Sequence, residues 1–191
     1  MQDQSQLQCY PQHDRRRIER SIRTFRPACI EIAGKAYAAT MKDCSDYGCG
    51  FDGEIPITKG ETVRYRWGSR PFVTANVVWV DGTRFGLENE LPCEIAPSDA
   101  FPYRSVRIPF EETAAVYFGG RCIVGSARNI AQKGFCIAMP EPVPTGCLST
   151  LEIGGAIFEN ATVRWTDGDQ AGFALDKPMS IPTLASLTNS T

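Results

Sequence analysis

Histidine is nearly absent: the 191 residues contain one, His13. That scarcity removes most metal centres and the nucleophile–imidazole triads. No run of 18 apolar residues occurs, so no segment reads as a membrane span. The opening residues, 1–6, lack the basic-then-apolar plan of a secretory signal, which points to a cytoplasmic protein. Eight cysteines are present, yet none forms a C-x-x-C pair, and the closest two are Cys44 and Cys49. Structural zinc needs short-spaced ligand pairs. In a reducing cytosol, unpaired thiols serve instead as small core hydrophobes. There is no G-x-S-x-G, no phosphate-binding loop motif and no long helical period. Paired acids such as Glu111 and Glu112 are adjacent, so a strand would turn them to opposite sides. The chain therefore reads as a non-enzyme with no cofactor and no metal. A net charge of −2 likewise excludes a polymer-binding protein held to nucleic acid by bulk charge.

What is present is a repeat. Adding 86 to a residue number often returns the same residue, without a gap, from residue 34 to 92. Gly34, Gly48, Pro56 and Gly60 map to Gly120, Gly134, Pro142 and Gly146. Ala75, Val77 and Trp79 map to Ala161, Val163 and Trp165, and Asp81, Gly82 and Gly86 to Asp167, Gly168 and Gly172. These are turn residues and a strand tryptophan, the positions a repeated backbone constrains. Each copy reads as short strands separated by glycine turns. The expected fold is all-β, a small barrel or sandwich repeated in tandem. Residues 14–95 make the first unit and 96–180 the second, flanked by flexible tails at 1–13 and 181–191. Strict alternation puts Val77 and Trp79 on one face, so Trp79 and Trp165 are expected in the cores. Trp67 either caps a barrel or stacks near a ligand.

Charge is uneven. Fifteen of the 20 basic residues are arginines, and six lie between Arg15 and Arg26. Residues 14–35 hold seven bases against three acids, a local charge of +4, whereas residues 96–191 hold seven bases and nine acids. Guanidinium groups fork onto phosphates, stack on rings and match the O6/N7 edge of guanine. The second element is D-x-S-x-x-G at Asp43, Ser45 and Gly48. Asp43 and Ser45 alternate with Cys44, so both side chains project the same way. A carboxylate accepts from the N1–H and N2–H₂ donors of guanine, a hydroxyl serves either role, and Gly48 permits a sharp turn or close approach.

The pairing carries more than either part. Arg16-x-x-x-Arg20 is followed 23 residues on by Asp43-x-Ser45-x-x-Gly48, then by V-x-W at Val77 and Trp79 before a hairpin turn. This arrangement resembles the PilZ domain family over roughly residues 14–92. The resemblance implies a six-stranded antiparallel barrel that binds cyclic di-GMP. It implies that Arg15, Arg16 and Arg20 clamp phosphates and guanine edges while Asp43 and Ser45 read guanine donors beside Gly48. It implies also that ligand binding orders residues 10–22 over the barrel mouth. In bacteria such receptors control motility, polysaccharide export, attachment or the cell cycle through a downstream protein partner.

The second copy is similar to PilZ by the 86-residue register, but its signatures are degenerate. Asn129 and Gly134 fit the pattern while Ala131 replaces the serine, and the positions matching Arg16 and Arg20 are Pro102 and Val106. Arg104 and Arg107 lie nearby with two residues between them rather than three. Such a copy packs against its neighbour or a partner. Two other readings stay open for the whole chain: a PilZ-like module that only docks another protein, and an arginine-rich binder of single-stranded nucleic acid on a small barrel. Only Phe25 and Tyr37 supply aromatics near the arginine run, which disfavours the latter.

Overall fold

The computed structural model describes residues 22–93 and 105–189. They form two closed six-stranded antiparallel barrels and one short helix, the all-β architecture expected from the repeat. The first barrel comprises β1 (Ile22–Ile32), β2 (Lys35–Ser45), β3 (Gly48–Asp52), β4 (Thr62–Trp67), β5 (Val73–Asp81) and β6 (Arg84–Asn89). The second comprises β7 (Ile108–Phe118), β8 (Arg121–Ala131), β9 (Gly134–Ala138), β10 (Leu148–Ile153), β11 (Ala156–Asp167) and β12 (Gln170–Ala174). Neighbour order is β1-β2-β3-β6-β5-β4 in one and the equivalent β7-β8-β9-β12-β11-β10 in the other. Strands β7 to β10 begin and end 86 residues after β1 to β4.

Turn chemistry fixes this register. The β1–β2 hairpin closes through Ala33 and Gly34 at φ 48° and 83°, and its counterpart through Gly119 and Gly120 at 57° and 75°. Two successive positive φ values match the right-handed twist of the flanking strands. Alanine at the first of these positions is the less comfortable solution.

Inward residues of the first barrel build an aromatic stack. Phe51 meets Phe85 face to face at 5.4 Å and Tyr65 edge-on at 5.3 Å. Tyr65 in turn stacks on Trp67, over which the Arg70 guanidinium lies at 5.1 Å. Trp67 is thus a core residue at the barrel end, which settles the choice left open by sequence. The two barrels share apolar contact: Cys29 and Ala38 of the first are fully buried within the second barrel's core cluster, with Ala36 and Phe72 packed alongside. The seven cysteines among the described residues are free thiols.

Besides a further register shift between Ser149 and Leu151 in the second barrel, the two barrels each carry three β-bulges at matching places. In the first they fall between Arg23 and Arg26, Met41 and Asp43, and Val77 and Trp79. In the second they fall at Pro109/Glu112, Ala127/Asn129 and Val163/Trp165. A bulge sets two residues against one and turns the following side chain to the other face. This corrects the expectation for the tryptophans. Val77 and Val163 face the cores, but Trp79 and Trp165 lie outside, 41% and 38% exposed.

A second correction concerns the C-terminus. Residues 181–189, expected as part of a flexible tail, form α1 (Ile181–Asn189). Ser180 caps it, its Oγ accepting from the Thr183 amide at 3.1 Å. So short a helix draws its stability from tertiary contact. Leu184 and Thr188 are buried, and the Asn189 amide clasps the backbone of β2. Asn189 Oδ1 accepts from the Ala38 N–H at 2.9 Å, while Nδ2 donates to the carbonyls of Ala38 and Glu54 at 3.0 and 3.1 Å. The side chain thereby substitutes for a missing strand where β2 runs past the end of β3. Asn189→Ala is expected to cost about 1–2 kcal/mol, the scale of orphaned backbone groups. A urea midpoint equal to wild type would contradict that role.

Candidate functional site

The bulge between Met41 and Asp43 decides where the motif points. Met41 and Cys44 face the core, and Asp43 is turned to the outer wall. There its carboxylate covers Gly50, opposite it on β3: a Cβ on Gly50 would stand 2.8 Å from Asp43 Oδ2. Gly50 pairs with Gly86 on β6, and Gly86 with Trp79 on β5. The indole lies flat over Gly86, its Nε1 2.0 Å from where a Cβ would be. The outer wall therefore carries one continuous row, Asp43–Gly50–Gly86–Trp79, in which an acid and a ring lie over the two glycines between them. Sequence reasoning missed Trp79 as part of this row. The signal was available in the co-occurrence of tryptophan and glycine at both 79/86 and 165/172.

Ser45 stands beside the row, its hydroxyl donating to the Gly48 carbonyl at 3.2 Å. Gly48 is required by crowding: a Cβ there would lie 2.2 Å from the backbone oxygen of Leu87. The turn between Ser45 and Gly48 is held by Asn89, another residue sequence reasoning passed over. The Asn89 backbone N–H donates to the Tyr47 carbonyl at 2.8 Å and its Nδ2 to the Asp46 carbonyl at 3.0 Å. Buried Tyr65 donates to Asn89 Oδ1 at 2.8 Å. Burial pushes the Tyr65 phenol up, so that donor stays protonated. Its one proton being used, Tyr65 Oη accepts from the Cys49 thiol at 3.2 Å. Cys44 and Cys49 face each other across β2 and β3, and their proximity lowers the first thiol and raises the second. The motif turn thus rests on a chain of contacts running into the core.

Arg15, Arg16 and Arg20 lie outside the described residues, as do residues 1–13. The point from which they lead is defined: β1 starts at Ile22, which pairs with Cys44, and Arg23 pairs with Asp43. The first strand therefore begins beside the motif strand at Cys44 and Asp43.

In the second barrel the corresponding row is Asn129–Cys136–Gly172–Trp165. Trp165 again covers its glycine, with Nε1 2.1 Å from a Cβ on Gly172. Cys136 fills the place of Gly50, and Ala131 leaves no hydroxyl at the place of Ser45. Among the described residues no group of His, Cys, Asp and Glu side chains could hold a metal ion.

Residues 14–94 match the family model of the PilZ domain. No curated protein matches the chain by sequence. Among solved structures the chain is similar to PlzA of Borreliella burgdorferi in complex with c-di-GMP, at 9% identity and TM-score 0.37, covering 90% of this chain and 94% of that one. It is similar to the Bacillus subtilis inhibitor of motility MotI/DgrA, at 12% identity and TM-score 0.39, covering 88% and 95%. It is similar also to YcgR of Escherichia coli in complex with c-di-GMP, at 9% identity and TM-score 0.34, covering 86% and 80%.

Proposed function

Because residues 14–94 are a PilZ domain, we propose that this protein is a receptor for cyclic di-GMP and binds it on the outer wall of the first barrel. The observation that carries the reading is the entry point of the arginine segment. Ile22 and Arg23 pair with Cys44 and Asp43, so Arg20 is two residues from the strand that borders the motif. Two residues of extended chain span about 7 Å, within reach of the row. Arg15, Arg16 and Arg20 supply the cations for the two phosphates and the forked donors for guanine O6 and N7. Asp43 accepts from guanine N1–H and N2–H₂. Ser45 has lone pairs left beyond its bond to Gly48. Gly50 and Gly86 let the Asp43 carboxylate and the Trp79 ring lie close against the wall, and Trp79 offers a stacking face. Binding would draw residues 10–22 onto the barrel, and that ordering is the signal: contacts present in one state and absent in the other shift the population. Residues 96–180 form a second, PilZ-like unit whose degenerate motif does not read guanine.

The test is a calorimetric titration of cyclic di-GMP into wild type and Asp43→Ala. Asp43→Ala is expected to bind about 10- to 100-fold more weakly, the scale of a lost hydrogen bond to a charged group. Equal heats from the two proteins, or none from wild type, would defeat the assignment.

A further inference from the structure

The second barrel has not simply lost a site. At the positions of Tyr47 and Val78 in the first barrel, the 86-residue register places Lys133 and Arg164. The same face exchanges Asp43 for Asn129 and Ser45 for Ala131. One acid is gone and two cations have arrived, all on the wall that carries Trp165. This wall lines a cavity of about 560 Å³ between the barrels, closed on the other side by Arg66, Gly68 and Ser69 of the first barrel and by Ser105 and Arg107. Four cations thus border one space, and among the described residues no carboxylate lines it. Among the described residues, none of the four salt bridges involves any of these cations.

The cationic wall is fixed in part. Arg66 lies over the Phe72 ring at 4.6 Å, and its Nη2 donates to the Arg107 carbonyl at 2.7 Å. Among the described residues, its Nε and the hydroxyl of Ser105 are both buried without a hydrogen-bond partner. Native structures rarely leave such donors unmade. Burial raises the Cys136 thiol on the cavity floor, Asp169 adds to that rise, and Arg107 and Arg128 oppose it.

We propose that this cavity is a second anion site, taking a nucleotide through its phosphates and its base. The cations suit phosphate oxygens, and the exposed indole of Trp165 suits a base ring. The volume is that of a small-ligand pocket. The guanine-reading acid and hydroxyl are missing, so the site takes purine nucleotides without preference for guanine. Arg164 sits on β11, Lys133 in the β8–β9 turn and Arg107 on the segment leading into β7, and Arg66 comes from the other barrel, so an occupied site ties the two barrels together.

The test uses the full chain carrying Arg16→Ala and Asp43→Ala, which silences the first-barrel site. ATP, GTP and tripolyphosphate are titrated by calorimetry without magnesium. ATP and GTP are expected to bind within about threefold of each other, and tripolyphosphate, lacking a base to stack, at least about tenfold more weakly. Adding Lys133→Ala and Arg164→Ala is expected to weaken ATP at least about tenfold. Trp165→Leu is expected to bring ATP down to the level of tripolyphosphate. Absence of ATP binding, or binding indifferent to the loss of Lys133 and Arg164, would overturn the proposal. Cyclic di-GMP titrated into Lys133→Ala/Arg164→Ala in an otherwise wild-type chain separates the two sites. Retention of that binding shows an intact first barrel, so loss of ATP binding then belongs to the cavity. Equal loss of both ligands would overturn an independent second site.

Discussion

Cyclic di-GMP binding is expected to fall at least about 100-fold when Arg16 and Arg20 are both replaced by alanine. Each guanidinium is assigned charge-assisted hydrogen bonds to the ligand, and such a bond is worth roughly 1.5–3 kcal/mol. At about 1.4 kcal/mol per factor of ten, losing two gives about two to four decades. The folded barrel should be untouched, since its first strand begins at Ile22, after both arginines in the chain. The double variant should therefore keep the wild-type melting midpoint without ligand and lose the rise that ligand gives wild type. A double variant whose midpoint still climbs with cyclic di-GMP as wild type does would remove the arm from the binding account.

The second large effect concerns Gly48. Gly48→Ala is expected to destabilise the first barrel by about 3 kcal/mol and lower the melting midpoint by roughly 6–12 °C. The added methyl meets the Leu87 carbonyl oxygen at 2.2 Å, and behind it lie the Leu87 carbonyl carbon and the Glu88 Cα, all backbone. Relief requires β3 and β6 to part at the start of their ladder. Gly86→Ala makes the informative contrast, because there the methyl meets the indole of Trp79, a side chain that can swing away. Differential scanning calorimetry on the two variants should show the larger drop for Gly48→Ala. The reverse order would mean that the Trp79 ring, not the β3–β6 ladder, is the stiffer neighbour.

Much of the fold was legible because turns repeat. Glycines at 34, 48, 60, 82 and 86 returned 86 residues later and defined both barrels before any strand was placed. The outward projection of Asp43 and Ser45 could also be read, since both flank an inward Cys44. Trp79 was misplaced because alternation assumes an unbroken ladder. A bulge leaves no mark in hydrophobic periodicity other than the glycine that receives the ring. Helix α1 was missed because nine residues are too few for a clear period, and its main anchor, Asn189, works through hydrogen bonds to distant backbone. Asn89 was invisible for the same reason. Its partners, Tyr65 and the Asp46–Tyr47 turn, are brought to it only by barrel closure.

The small side chains of Cys29, Ala36 and Ala38 let the barrels meet over a common apolar seam, and Asn189 stitches the far end of the chain to the near barrel. Two bodies joined this way do not swivel like beads on a string. A substitution that enlarges a seam residue such as Ala38 would therefore be felt in both barrels at once.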